Sequence, residues 1–148
     1  MNALDVLKQD HDKVKDLFRQ YEQTEDPQQR GRIARQVFQE LEIHTKIEEE
    51  IFYPALREQG DTHDKEMVAE SFEEHHLVDT VIGDLRGLNP GDLDFNAKFH
   101  VLMENVQHHI QEEEQDLFPD ARQRLGGQLD MLGQRLMERK QQLQMAGG

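Results

Sequence analysis

The sequence predicts an all-α protein, an up-down-up-down four-helix bundle with an additional C-terminal helix. Three observations predict it. Apolar residues recur at steps of three and four through five segments. Short, breaker-rich connections separate those segments, so consecutive helices lie antiparallel. No run alternates with the period of two that a half-buried strand needs. At 148 residues the chain is expected to be a single domain, 1–148, with the bundle over about 4–120 and the last helix over about 120–144.

In the first helix Leu4, Leu7, His11, Val14, Phe18 and Tyr21 form one stripe, running to about Thr24. Glu25-Asp26-Pro27 stops it and starts the next. The second helix covers about 27–58, with Ile33, Val37, Leu41, His44, Glu48, Ile51 and Ala55 on one face. Pro54 removes an internal hydrogen bond and is expected to kink this helix or mark its last turns. Gly60-Asp61-Thr62 closes it and caps a third helix, striped by Val68, Phe72, His75, Val78, Ile82 and Leu85 up to Gly87. Asn89-Pro90-Gly91-Asp92 is a loop. The fourth helix carries Phe95, Phe99, Leu102, Val106, His109 and Glu113 up to Pro119. The last has Leu125, Leu129, Leu132 and Leu136, weakened by Gly126, Gly127 and Gly133, and a frayed tail from Met145. It packs across the bundle or mediates self-association, so a monomer or a weak homo-oligomer is expected.

Composition narrows the chemistry. There is no Cys, which excludes disulfides, thiolate metal sites and a Cys nucleophile. The formal charge of −14 repels phosphate backbones and anionic lipid, so neither nucleic acid nor a membrane is expected as a partner. The opening MNALDVLKQDHDK has no apolar leader and no later run is long enough to cross a bilayer, so a cytoplasmic protein is expected. A mean hydropathy of −0.89 would suit disorder, but disordered chains lack the periodicity seen here.

One eleven-residue stretch occurs twice. His44 to Pro54 and His109 to Pro119 both read H-x3-E-E-x4-P. Residues four apart on a helix differ by about 40° and about 6 Å along the axis, so an imidazole and a carboxylate at that spacing reach one point beside it. A single H-x3-E is weak evidence, but two copies sharing the second Glu and the Pro are much harder to obtain by accident. The repeat extends further. Shifted by 64, His11-Asp-Lys-Val14-Lys-Asp-Leu17-Phe18 falls on His75-His-Leu-Val78-Asp-Thr-Val81-Ile82, and Asp10 and Glu74 precede the two histidines. The chain therefore reads as a duplicated helix pair about a pseudo-two-fold axis.

His11, His44, His75 and His109 lie on the apolar stripes of four helices, and Glu48 and Glu113 on two of them. A lone histidine on an apolar face is ordinarily a core residue bonded to a carbonyl. Burying an ionised carboxylate costs several kcal/mol unless it is paired or binds metal. Six such side chains at matching depth need a common partner, and a metal centre is one. Imidazole with carboxylate suits iron, manganese or zinc. Two glutamates can each bridge two ions while the histidines divide two per ion; with one oxo or hydroxo bridge that makes five ligands, which leaves an octahedral ion one open position for a diatomic or peroxide. His100 with Glu104 and His108 with Glu112 read as surface pairs. His63 falls in a connection, and the repeat favours His75 over its neighbour His76.

This pattern resembles the hemerythrin-like (HHE cation-binding) family of non-haem di-iron bundles, over residues 4–120. The resemblance implies two iron ions in an oxo- or hydroxo-bridged di-iron centre, with His11, His44, Glu48, His75, His109 and Glu113 as metal ligands. It also implies a protein that binds or reduces O2, peroxide or NO in oxidative or nitrosative stress defence. Oxygen-carrying hemerythrin has a fifth histidine four residues from another on its third helix, where this chain has Ser71 and Asp79. It also has His-x4-Asp where this chain has His109-x3-Glu113, so four His with two Glu is more similar to the iron-centre repair proteins and small bacterial relatives. An iron-binding module for storage, delivery or repair of iron centres, and a zinc-stapled structural bundle, are the competing functions. As acceptors for the ligand histidines the spacing suggests Glu40 and Asn105, four residues before each motif histidine. Phe18, Ile82, Phe52 and Leu117 are expected to line the cavity. Asp116 is a buried acceptor or a residue at a solvent opening, and Tyr53, which points away from His44 on an ideal helix, reads as packing unless Pro54 re-aims it.

Overall fold

A computed structural model describes residues 1–147. Helix α1, Ala3–Glu22, begins at a capping box in which Asn2 and Asp5 each accept from the other's backbone N–H. Helix α2, Pro27–Ile47, starts with Asp26 as N-cap and Pro27 at its first position, where no donor is lost. A five-residue π-helical turn, Glu48–Phe52, joins it to α3, Tyr53–Gln59, as one continuous rod. Asp61 and Asp64 box the start of α4, Thr62–Arg86. Helix α5, Leu93–Glu112, runs through a second π turn, Glu113–Leu117, into α6, Phe118–Leu125. A 3-10 turn at Gly126–Gln128 leads into α7, Leu129–Gly147.

The four rods and the extra C-terminal helix are thus as the stripes predict. Every apolar stripe residue is buried except Ile33, Ala55 and Phe72, which are half-buried. Two boundaries differ from expectation. The fourth rod passes Pro119 and ends at Gly126, where a φ of 33° breaks the helix. Pro119 is tolerated because it sits at the start of α6, just after a π turn has already interrupted the α-helical ladder. Pro54 stands in the same place after the first π turn, so neither proline terminates a rod. The C-terminal helix accordingly runs over 129–147, not 120–144, and it stays helical through Met145; Gly148 lies outside the described residues.

The core has two apolar layers. One gathers Leu4 and Leu7 of α1, Phe52, Leu56, Val68, Phe118, and Leu132 and Leu136 of α7. The other gathers Val14, Phe18, Tyr21, Val37, Leu41, Ile82, Phe99, Leu102 and Ile110. Each fully buried Leu or Phe contributes about 1.5–3 kcal/mol against the ordering entropy. A layer of buried polar side chains separates the two, and there the repeat motifs lie. Among the described residues there is no strand, and no helix is long and apolar enough to cross a membrane.

Candidate metal centre

The structure brings all six sequence-predicted side chains together. His11 comes from α1, His44 from α2, His75 from α4 and His109 from α5, while Glu48 and Glu113 open the two π turns. All six are buried, Glu48 completely. Glu48 Oε1 lies 3.2 Å from both His44 Nε2 and His75 Nε2. Glu113 Oε1 lies 2.9 Å from His11 Nε2, and its Oε2 lies 3.3 Å from His109 Nε2. Each carboxylate therefore spans the gap between two imidazole pairs, His11–His44 and His75–His109, whose ring centroids are 5.0 and 5.1 Å apart. Ligand atoms of His11, His44, Glu48 and Glu113 fall within 4.8 Å of one another, and so do those of Glu48, His75 and His109.

Four atoms at the centre make no hydrogen bond: His44 Nε2, His109 Nε2 and both oxygens of Glu48. An unpaired carboxylate with no solvent exposure costs several kcal/mol, and native structures seldom leave such a group without a partner. A cation in each of the two groups, His11–His44–Glu48–Glu113 and Glu48–His75–His109, would satisfy all four. The donor set, nitrogen and oxygen only, suits a borderline or hard cation such as iron, manganese or zinc.

Behind each imidazole stands a carboxylate. His11 Nδ1 donates to Glu114 at 2.7 Å, His44 Nδ1 to Asp10 at 2.8 Å, His75 Nδ1 to Glu49 at 2.7 Å and His109 Nδ1 to Glu74 at 2.9 Å. Placing the proton on Nδ1 turns every Nε2 lone pair toward the centre. The expected acceptors were Glu40 and Asn105, and neither does this. Glu40 pairs with Lys13 at 2.9 Å, and Asn105 is exposed. A residue on the ligand's own helix leans along that helix, whereas Nδ1 faces the neighbouring rod, so the acceptors come from across the bundle. The sequence carried their signal in the second Glu of each H-x3-E-E and in the acid preceding each N-terminal histidine.

Tyr53 takes the re-aimed alternative rather than plain packing. Its hydroxyl donates to Glu113 Oε2 at 2.6 Å and lies 3.3 Å from His75 Nε2. The π turn adds a residue to the helical register, rotating the residues beyond it by about 100° relative to an α-helix, and so turns Tyr53 inward. Its repeat partner Phe118 stacks on His11 at 5.7 Å. The residues proposed as cavity lining are also corrected. A small buried pocket of about 20 Å³ touches all four histidines, and its apolar wall is Val14, Leu41, Val78, Val106 and Ile110. Phe18 and Ile82 sit one turn farther out, Phe52 packs edge-on against Phe118, and Leu117 lines an outer vestibule. Asp116 is exposed on that vestibule, the solvent-opening alternative. His63, His76, His100 and His108 are exposed; His108 pairs with Glu112 as expected, but His100 bonds the Asn96 carbonyl. A surface cleft of about 750 Å³ between α2, α7 and the connection from α4 to α5 touches none of the histidines.

Electrostatics follow from this crowding of acids. Burial pulls the His109 imidazole down, but the charges of Glu113, Glu74 and Glu48 outweigh it and carry it to about 10. His44 is likewise raised well above its ordinary value against burial, by Glu48 and Asp10. Burial pushes the Glu113 carboxyl up, yet His109 and His11 hold it well below the carboxylate range. Burial, with Glu113 and Glu48 beside it, raises the Tyr53 phenol well above 10. The polar layer around the imidazoles is a negative cage that favours protons or a cation.

The family description "Hemerythrin HHE cation binding domain" matches residues 2–121. The chain belongs to this family. The uncharacterized protein Rv2633c of Mycobacterium tuberculosis is 30% identical over 148 residues, covering 97% of this chain and 88% of that one. A DNA nickase of a Nostoc species is 30% identical over 131 residues, 86% of this chain; the chain spans only 36% of that longer protein. Among solved structures, the hemerythrin HHE cation-binding domain-containing protein of Mycobacterium kansasii, the Rv2633c homolog, superposes with a TM-score of 0.85 at 24% identity, over 99% of this chain and 89% of that one. The hemerythrin-like fold with its C-terminal helix is thereby established, and so is the cation-binding character of the domain.

Proposed function

We propose that this hemerythrin-like domain holds two iron ions and binds or reduces a small oxidant, O2, peroxide or NO, in oxidative or nitrosative stress defence. His11 and His44 would hold one ion and His75 and His109 the other, with the Glu48 and Glu113 carboxylates placed to serve both pairs. The observation that carries this reading is the pocket of about 20 Å³ in contact with all four imidazoles. Roughly 10–15 Å³ suffices for one water-sized molecule, so a diatomic or peroxide fits and a larger substrate does not.

Iron supplies the one-electron redox change and a coordination position open to a small ligand. The chain supplies the rest. Val14, Leu41, Val78, Val106 and Ile110 keep bulk water from the imidazole layer. Asp10, Glu49, Glu74 and Glu114 fix the tautomer of each histidine and raise its basicity. Tyr53 holds a proton on its hydroxyl against Glu113, on the far side of the imidazoles from the apolar wall.

The test is to load the protein with ferrous iron under anaerobic conditions and add peroxide or NO in excess, with an excess of a chemical reductant to return the iron to the ferrous state and a metal-free protein as control. Consumption of many equivalents per chain supports turnover. An unchanged oxidant pool with bound iron retained overturns it in favour of an iron store or delivery module. A protein that takes up zinc but not iron overturns both.

A further inference from the structure

The repeat gives the centre two equivalent ends, but the rest of the molecule treats them differently. At the His11–His44 end lies α7. Its Leu132 and Leu136 sink into the core beside Leu4, Leu7 and Ile51. Its Arg139 grips Glu50 in the first π turn, at 2.7 and 3.3 Å. Its Lys140 binds Asp10, the carboxylate that orients His44. Asp10 is only 2% exposed under this cover.

In the second half of the repeat the counterpart of Asp10 is Glu74 and that of Glu50 is Gln115. No basic residue of α7 reaches them. Both line a surface vestibule of about 520 Å³, whose floor includes Ser71, His109 and Glu113. His109 is nine-tenths buried there, with its Nε2 free of any hydrogen bond. The rim carries Glu70, Glu112, Asp116 and Asp120. A concave surface lined by one sign of charge concentrates the opposite ion and speeds its capture. The vestibule is thus the uncovered twin of the seat that α7 fills.

We infer that divalent cations reach and leave the centre through this vestibule, so that the ion at the His75–His109 end exchanges while the ion at the His11–His44 end is locked beneath α7 by Arg139 and Lys140. This rests on the two-ion reading above. It makes the two ions unequal in kinetics although their ligands are alike.

The experiment loads the full chain with zinc and mixes it with an excess of a chromogenic chelator. Two release phases of one ion per chain each are expected. In Arg139→Gln/Lys140→Met the slow phase accelerates severalfold, the scale set by losing one exposed ion pair to Glu50 and one part-buried pair to Asp10, while the fast phase is unchanged. In Glu70→Gln/Asp116→Asn, which alters exposed rim residues only, the fast phase slows severalfold and circular dichroism is unaltered. Release of both ions in a single phase, or a slow phase indifferent to the α7 substitutions, overturns the inference and leaves the two-ion reading standing. A fast phase indifferent to the rim substitutions overturns the vestibule as the route. A chain that holds fewer than two zinc ions at the outset removes the two-ion reading itself.

Discussion

A histidine ligand is made by what stands behind it. Each of the four imidazoles donates Nδ1–H to a carboxylate from another rod, and that contact selects the Nε2 lone pair for the centre. Glu114→Ala, which strips the acceptor from His11, is expected to weaken metal binding about 10–100-fold without unfolding the chain, read by metal titration of the stripped protein. Tyr53→Phe removes a buried hydrogen bond to a charged oxygen and is expected to cost about 1.5–3 kcal/mol in denaturant unfolding of the metal-free protein. The raised imidazoles set a pH dependence as well. In the metal-free protein the stability contributed by His109 is fully present below about 6.5 and is lost as the pH rises through about 10. The denaturation midpoint is therefore expected to fall across that window, and metal uptake at pH 7 to release protons. A flat midpoint would show that His109 is not charged in the metal-free fold. The six central residues were legible because the motif is local and duplicated. Three of the four acceptors lie more than 30 residues away from their partners, and spacing along one helix does not show a contact across two.

At the scale of elements, the two π turns matter most. A strict α-helix presents Glu48 inward and turns Tyr53 away; the extra residue in Glu48–Phe52 lets both face the centre, and Glu113–Leu117 does the same for Phe118. Pro54 and Pro119 mark both places in the sequence, and reading them as kinks or stops found the position, with the rotation of Tyr53 only an alternative. A π turn has no residue signature of its own. The C-terminal helix offers the opposite case. Gly133 reads as a helix weakener, but a Cβ there would stand 2.4 Å from the Met1 carbonyl oxygen and 2.6 Å from Asn2 C, where α7 crosses the start of α1. Gly133→Ala is thus expected to destabilise by about 1–3 kcal/mol despite the better helix propensity of alanine. Gly127→Ala, with nothing within 4 Å of the new methyl, is the control and is expected to be near neutral. Equal effects of the two would contradict the close crossing.

For the molecule as a whole, the arrangement is a polar layer clamped between two apolar ones. Six carboxylates and one ammonium surround four imidazoles there, a negative excess of the kind that bound cations offset. The stripes and breakers made the bundle legible, since helical periodicity is written in consecutive residues. The docking of α7 over one end of the centre was not, because nothing in its polar face names its partner until Asp10 and Glu50 are seen beside it. Metal should also stabilise the whole fold by mass action, because only the native chain presents the six side chains together. The most direct test of that central claim is a metal count after anaerobic loading with ferrous iron, on the wild type and on Glu48→Gln/Glu113→Gln. Two irons per chain in the first and none to one in the second are the expected values; equal metal in both would contradict the centre described here.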